Sequence, residues 1–151
     1  MYYADIAVHG KDRNLQLLVE AKNKRGASKI WAAKMRRNMY AHGLLPEAPF
    51  FLLALPDKFY LWKNKGSFTD LIDADYEINP EPFLQPYYPP EYISKYDISS
   101  EGFELIISAW LHQLLTVPSI DLLPKNNMDW LMTSGLFDAI HHGELKLEEL
   151  V

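Results

Sequence analysis

Two runs of alternating side-chain character at the N-terminus constrain this chain more than any other feature. In the first, Ala4, Ile6 and Val8 are apolar and interleave with Tyr3, Asp5, Ala7 and His9. After Gly10-Lys11-Asp12-Arg13-Asn14 the alternation resumes, with Leu15, Leu17, Val19 and Ala21 on one face and Gln16, Leu18, Glu20 and Lys22 on the other. A period of two is the pattern of a half-buried strand, because successive side chains leave a strand on opposite sides. The short polar joint predicts an antiparallel hairpin.

A helix follows. Asn23 to Ala27 reads as a loop, Ser28 suits an N-cap, and the helix is expected to run to about His42 and stop at Gly43. Trp31, Met35 and Met39 recur at i, i+4 and i+8 and are expected to pack on the sheet, leaving Lys29, Arg36 and Tyr40 to point elsewhere. Phe50 to Leu55 is a continuous apolar run of strand length, suited to the buried middle of a sheet, and Phe59 to Trp62 reads as a further strand after the Pro56-Asp57 turn.

From about Lys63 the character changes. Five of the ten prolines, Pro80, Pro82, Pro86, Pro89 and Pro90, fall within eleven residues, which predicts an extended arm rather than a regular element. Beyond it, Ser99 or Ser100 caps an expected helix through Phe103, Ile107, Trp110 and Leu114; a shorter helical stretch lies near Met128 to Met132, and Glu144 to Leu147 fits a short strand or a tail. The expected organisation is a core over residues 1–66, a Pro-rich connecting arm over 67–98 and a mainly helical part over 99–151 packed on the same domain. The fold class is α/β with a mixed sheet.

Hydrophobic residues at 48% and charged residues at 23% are ordinary globular usage, which excludes a disordered or fibrous chain. With no apolar run of about 18 residues, no signal-peptide pattern and no cysteine, the expectation is a cytoplasmic protein without a membrane partner, disulfides or thiolate chemistry. The net charge of -5 averages two unlike halves. Residues 1 to 65 hold 12 Lys/Arg against 5 Asp/Glu, a balance of +7, whereas residues 66 to 151 hold 3 against 15, a balance of -12. Lys22, Lys24, Arg25, Lys29, Lys34, Arg36 and Arg37 crowd together, with no acid between Glu20 and Glu47. Such a field either binds phosphates on an otherwise acidic protein or forms a solvated helix face.

The segment Leu18-Val19-Glu20-Ala21-Lys22 puts a carboxylate and an ammonium on one face of one strand. If the hairpin is symmetric about Asp12-Arg13, opposed residue numbers sum to 25 and Asp5 lies across from Glu20. Opposed residues have Cα atoms about 4.5 to 5.5 Å apart, so both carboxylates can reach one divalent cation, and oxygen-only ligation suits Mg²⁺ or Mn²⁺. A bare Glu-x-Lys carries little weight: each charged type is about 6% of usage, and roughly every second chain of this length has one by chance. Context adds the weight, since an aspartate sits in phase on the preceding strand and a basic helix follows. The structural alternative is a salt-bridged hairpin in which Lys22 merely pairs Asp5 or Glu20.

In these residues, over roughly 3 to 62, the chain resembles the PD-(D/E)xK nuclease superfamily with its restriction-endonuclease-like fold. The Tyr3-Ala4-Asp5-Ile6 start and the Leu-Leu-Val-Glu-Ala-Lys segment look particularly like the nuclease domains of type I restriction subunits. The resemblance implies that Asp5 and Glu20 bind the metal together with the Ala21 carbonyl, and that Lys22 positions the attacking water. Ala4 stands where the motif has its proline, and the helix and acidic residue that usually precede the hairpin are missing from the chain, so that a larger protein, a homo-oligomer partner or the C-terminal helices would fill that place. Arg36 and Tyr40 take the spacing of a Gln-x-x-x-Tyr pair found in related nucleases, with arginine in place of glutamine.

The expected activity is metal-dependent hydrolysis of phosphodiester bonds in DNA by Asp5, Glu20 and Lys22, with Lys24, Arg25, Lys29, Arg36, Arg37 and Tyr40 gripping the nucleic acid. The rival is a catalytically incomplete nuclease-fold module that binds nucleic acid or a protein partner. His141-His142, His9 and His42 are weaker candidates for a metal or catalytic role, and Tyr2, Tyr3, Tyr87, Tyr88, Tyr92 and Tyr96 are candidates for base stacking that packing of the proline arm explains equally well for the last four.

Overall fold

The computed structural model describes residues 4–64, 68–90 and 98–147. Among them lie six strands and five α-helices: β1 (Ile6–His9), β2 (Leu15–Ala21), α1 (Lys29–Ala41), β3 (Phe50–Ala54), β4 (Phe59–Lys63), β5 (Tyr76–Ile78), α2 (Glu81–Leu84), α3 (Ser100–Thr116), α4 (Asp129–Thr133), α5 (Leu136–Ile140) and β6 (Glu144–Leu147). The strands form one mixed sheet in the order β5-β4-β3-β2-β1-β6, in which β2 and β3 are parallel and every other pair is antiparallel.

The hairpin carries the expected register. Ile6 opposes Val19, Ala7 opposes Leu18 and Val8 opposes Leu17, and the pairing slips only beyond Val8, at the turn, where His9 opposes Leu15. The turn is closed by Gly10 N–H on the Asn14 carbonyl at 2.8 Å, and Arg13 takes a left-handed φ of 71° to make it. Because the irregularity lies on the turn side, the open end, toward Asp5 and Glu20, keeps its phase.

Both faces of the sheet are covered. Ile6, Val8, Leu17, Val19, Leu52 and Phe59 face a core shared with Phe103, Trp110 and Leu114 of α3 and with Leu131, Phe137 and Ile140. Ala7, Leu18, Phe51, Leu53, Tyr60 and Trp62 face a second core with Ala32 and Tyr40 of α1. Parallel β2 and β3 need a crossover, and α1 supplies it, running back over the second face from the Glu20 end of β2 to the start of β3. Ser28 caps α1 by accepting the Trp31 N–H, and Gly43 follows its end at a φ of 67°.

Two expectations are corrected. The inward face of α1 is Ala32, Ala33, Arg36 and Tyr40, so Arg36 and Tyr40 point in rather than elsewhere, while Trp31, Met35 and Met39 do pack against the second core but from its edge, half-buried. The two alanines let the helix axis approach the sheet, and the Arg36 stem and Tyr40 ring then fill the wider space over Trp62 and Phe51. The Pro-rich stretch is not simply extended either: it contains α2 and a 3-10 turn at Gln85–Tyr87. Pro82 and Pro86 occupy first-turn positions, where the N–H they lack has no intrahelical partner to lose.

Candidate active site at the open end of the hairpin

Extending the β1/β2 register by one residue past Ile6–Val19 brings Asp5 beside Glu20. Their hydrogen bonds agree: the Asp5 N–H donates to Glu20 Oε1 at 3.4 Å, and Asp5 Oδ2 accepts the Ala21 N–H at 2.9 Å. Lys22, two residues on and half-exposed, places its Nζ 3.8 Å from Glu20 Oε2. Its backbone N–H donates to the Ala54 carbonyl, which pins the end of β2 to β3. The three expected catalytic side chains therefore converge.

Glu20 is the unusual member. It sits 4% exposed on the α1 side of the sheet, in line with Leu18 and beside Leu53. Burial, then the Asp5 charge and a carboxyl-to-carboxyl hydrogen bond, push the Glu20 carboxyl from 4.5 up to about 8, against the opposing pull of the Lys22 charge and the Asp5 N–H. Near neutral pH this carboxyl therefore holds a proton. Two carboxyl groups with only one half-exposed lysine beside them leave the cluster short of positive charge, which the retained proton offsets.

That donor set fits a hard divalent cation. The side-chain oxygen donors here are the two carboxyl groups, and among the described residues no group of three or more His, Asp or Glu side chains gathers to enclose an ion. Mg²⁺ is ordinarily bound in that way, by one or two carboxylates with water and substrate phosphate completing the shell.

The basic residues divide. Lys24, Arg25 and Lys29 are exposed and Arg37 is half-exposed, all on the loop and helix that leave the Glu20 end of β2. Arg36 is 2% exposed: its guanidinium donates to Asn64 Oδ1 at 2.7 Å and lies over the Tyr40 and Trp62 rings at 5.3 and 5.8 Å. Tyr40 is buried too, and burial raises its hydroxyl to about 12. Both residues sit over the Phe51–Trp62 row and the Asn64 end of the sheet, away from Glu20, so neither is placed to grip a surface phosphate. A sequence spacing of four shows that two residues share a helix face without showing which way it points.

The histidines also lie elsewhere. His9 is at the turn end of β1, and His42 caps the far end of α1. His141 and His142 do not diverge as adjacent residues on a regular element would: His142 adopts a φ of 64°, and the two rings stack with centroids 3.7 Å apart. His141 is held to the Val117 carbonyl at 2.7 Å and stacks on Phe137, a packing role. Of the tyrosines considered for stacking, Tyr87 and Tyr88 pack at the margin of the α3 core, while Tyr2, Tyr3, Tyr92 and Tyr96 lie outside the described residues.

Comparison with family models, curated proteins and solved structures yields no match to the chain. Among the described residues no helix is long and apolar enough to cross a membrane.

Proposed function

We propose that the chain is a divalent-metal-dependent nuclease of the PD-(D/E)xK kind, hydrolysing phosphodiester bonds in DNA. The observation that carries this reading is the convergence of Asp5, buried Glu20 and Lys22 at the open end of one hairpin. A hairpin followed by a helix and a further strand is the order that the resemblance implies after its first helix, which supports the same reading.

In this scheme Asp5, Glu20 and the Ala21 carbonyl would hold Mg²⁺ or Mn²⁺, and the bound ion would supply Lewis-acid chemistry at the scissile phosphate and its water. Asp5 is held in place by the Ala21 N–H, and Glu20 gives up its proton as the site fills. Lys22, half-exposed and 3.8 Å from Glu20, would steady the attacking water and the charge that develops on the phosphate. Lys24, Arg25, Lys29 and Arg37 contribute the field that draws the phosphodiester backbone toward this end of the sheet.

Incubation of the protein with supercoiled plasmid tests the proposal. Open circles should form with Mg²⁺ or Mn²⁺ and be absent in EDTA; a purified, folded chain that nicks nothing with either ion would leave the rival reading, a binding module without catalysis.

A further inference from the structure

Rotation of α1 leaves an apolar stripe on its outer flank that the fold does not use fully. Trp31, Met35, Met39 and Leu44 line a groove of about 420 Å³ there, together with Lys34 and Asn38. Leu44 is 49% exposed, and Trp31 alone of the four tryptophans is not buried. The ring of Trp31 is covered by a solvent-exposed cation: Lys24 Nζ lies 5.0 Å from its centroid.

Two exposed cations border the groove: Lys34 lines it and Lys24 lies over Trp31, while the sequence from Ala21 to Pro46 holds no acid. A double helix would present only phosphates and groove edges to such a surface, with no use for its aromatic and thioether floor. Unpaired bases offer π-faces that stack on tryptophan and methionine while their phosphates meet the lysines. An apolar floor with a cationic rim therefore matches a single strand better than a duplex, and the rim disfavours a neutral protein partner that brings no acids to meet it.

We infer that the outer flank of α1 is a path for single-stranded nucleic acid, with Trp31 as a base-stacking platform and Lys24 and Lys34 as phosphate contacts. The inference rests on the nuclease reading for its role, holding an unpaired stretch of DNA beside the Asp5–Glu20 end of the hairpin, but its binding step does not need catalysis. Lys24 leaves the ring when a base takes its place and turns to the adjoining phosphate. The helix, 13 residues long, offers about 20 Å of path, in keeping with the smallest single-strand sites of about four nucleotides.

Titration of the whole chain with a dT12 oligonucleotide in EDTA, read by tryptophan emission, tests this. The expected result is quenching from the one unburied tryptophan, weakened by salt, with affinity lowered roughly 5- to 150-fold in Trp31→Ala, largely retained in Trp31→Tyr, and reduced in Lys34→Glu at an exposed position. Three results would overturn it: no binding of dT12 at low salt, a duplex of equal length bound as tightly, or Trp31→Ala and Lys34→Glu binding like the parent. Conversion of a self-associated chain to monomers by Lys34→Glu would also overturn it, making a second copy the occupant. A chain that binds dT12 through Trp31 yet nicks no plasmid keeps the path and loses the nuclease; one that nicks plasmid with Trp31 irrelevant does the reverse.

Discussion

Asp5 and Glu20 hold each other across the open end of the hairpin, the Asp5 N–H on Glu20 Oε1 at 3.4 Å, with Asp5 Oδ2 turned to the Ala21 N–H at 2.9 Å. The pairing leaves a buried carboxyl with a carboxylate beside it and a lysine only at 3.8 Å. Stability, metal affinity and catalysis should all respond to that one arrangement.

Without divalent ions the protein should lose stability as pH rises from about 4.5 to about 8. The folded chain keeps the Glu20 proton up to about 8 whereas the unfolded chain releases it near 4.5, so between those values the folded state binds more protons. The slope from this group is at most about 1.4 kcal/mol per pH unit. Urea unfolding at several pH values in EDTA measures it, and Glu20→Gln, which cannot ionise, should flatten the dependence over that window.

Metal binding should release a proton. At pH 7 most Glu20 is protonated, so calorimetric titration with Mn²⁺ in buffers of different ionisation enthalpy should show close to one proton leaving per ion bound. At about 100 times Kd the ion should add about 2.7 kcal/mol of stability, reversing the decline with pH. Glu20→Gln should abolish both effects.

Arg36 should behave as a core residue rather than a phosphate contact. Arg36→Ala removes a buried stem and leaves Asn64 without its 2.7 Å donor, and should cost about 2 to 4 kcal/mol. Arg36→Met, which keeps the stem, should cost less. Wherever the variants are folded, their DNA affinity should match the parent's. By contrast, neutralising exposed Lys24 or Lys29 should make duplex binding less sensitive to salt, reducing the slope by roughly 0.9 for each phosphate that no longer meets a cation.

The hairpin is the legible part of the sequence, and for a physical reason. Period-two alternation specifies which side chains share a face, so the pairing of Ile6 with Val19 and the nearness of Asp5 to Glu20 follow from residue numbers once the turn is centred. The caps at Ser28 and Ser99 are legible too, because each hydroxyl answers a local need of its own helix. The facing of α1 is not. Hydrophobicity alone points Trp31, Met35 and Met39 inward, but the distance between helix and sheet is set by Ala32 and Ala33, and the partner that makes Arg36 tolerable inside, Asn64, lies 28 residues away. β5 is three residues long, and α5 has five residues, opened by Gly135 at a φ of 83°. Elements so short carry too few residues to show a period. The raised Glu20 carboxyl has no sequence signal apart from the leucines around it, since burial of that face depends on α1 closing over it.

Cleavage by active-site variants tests the central claim most directly. Single-turnover nicking of supercoiled plasmid in Mn²⁺ should be lost in Asp5→Asn, Glu20→Gln and Lys22→Met. Unfolding midpoints in EDTA at pH 6, where Glu20 is already protonated, should stay near the parent's. Metal-dependent nicking that persists undiminished in Glu20→Gln, or that disappears only in proportion to a loss of folding, would contradict the assignment of Asp5, Glu20 and Lys22 as the catalytic centre.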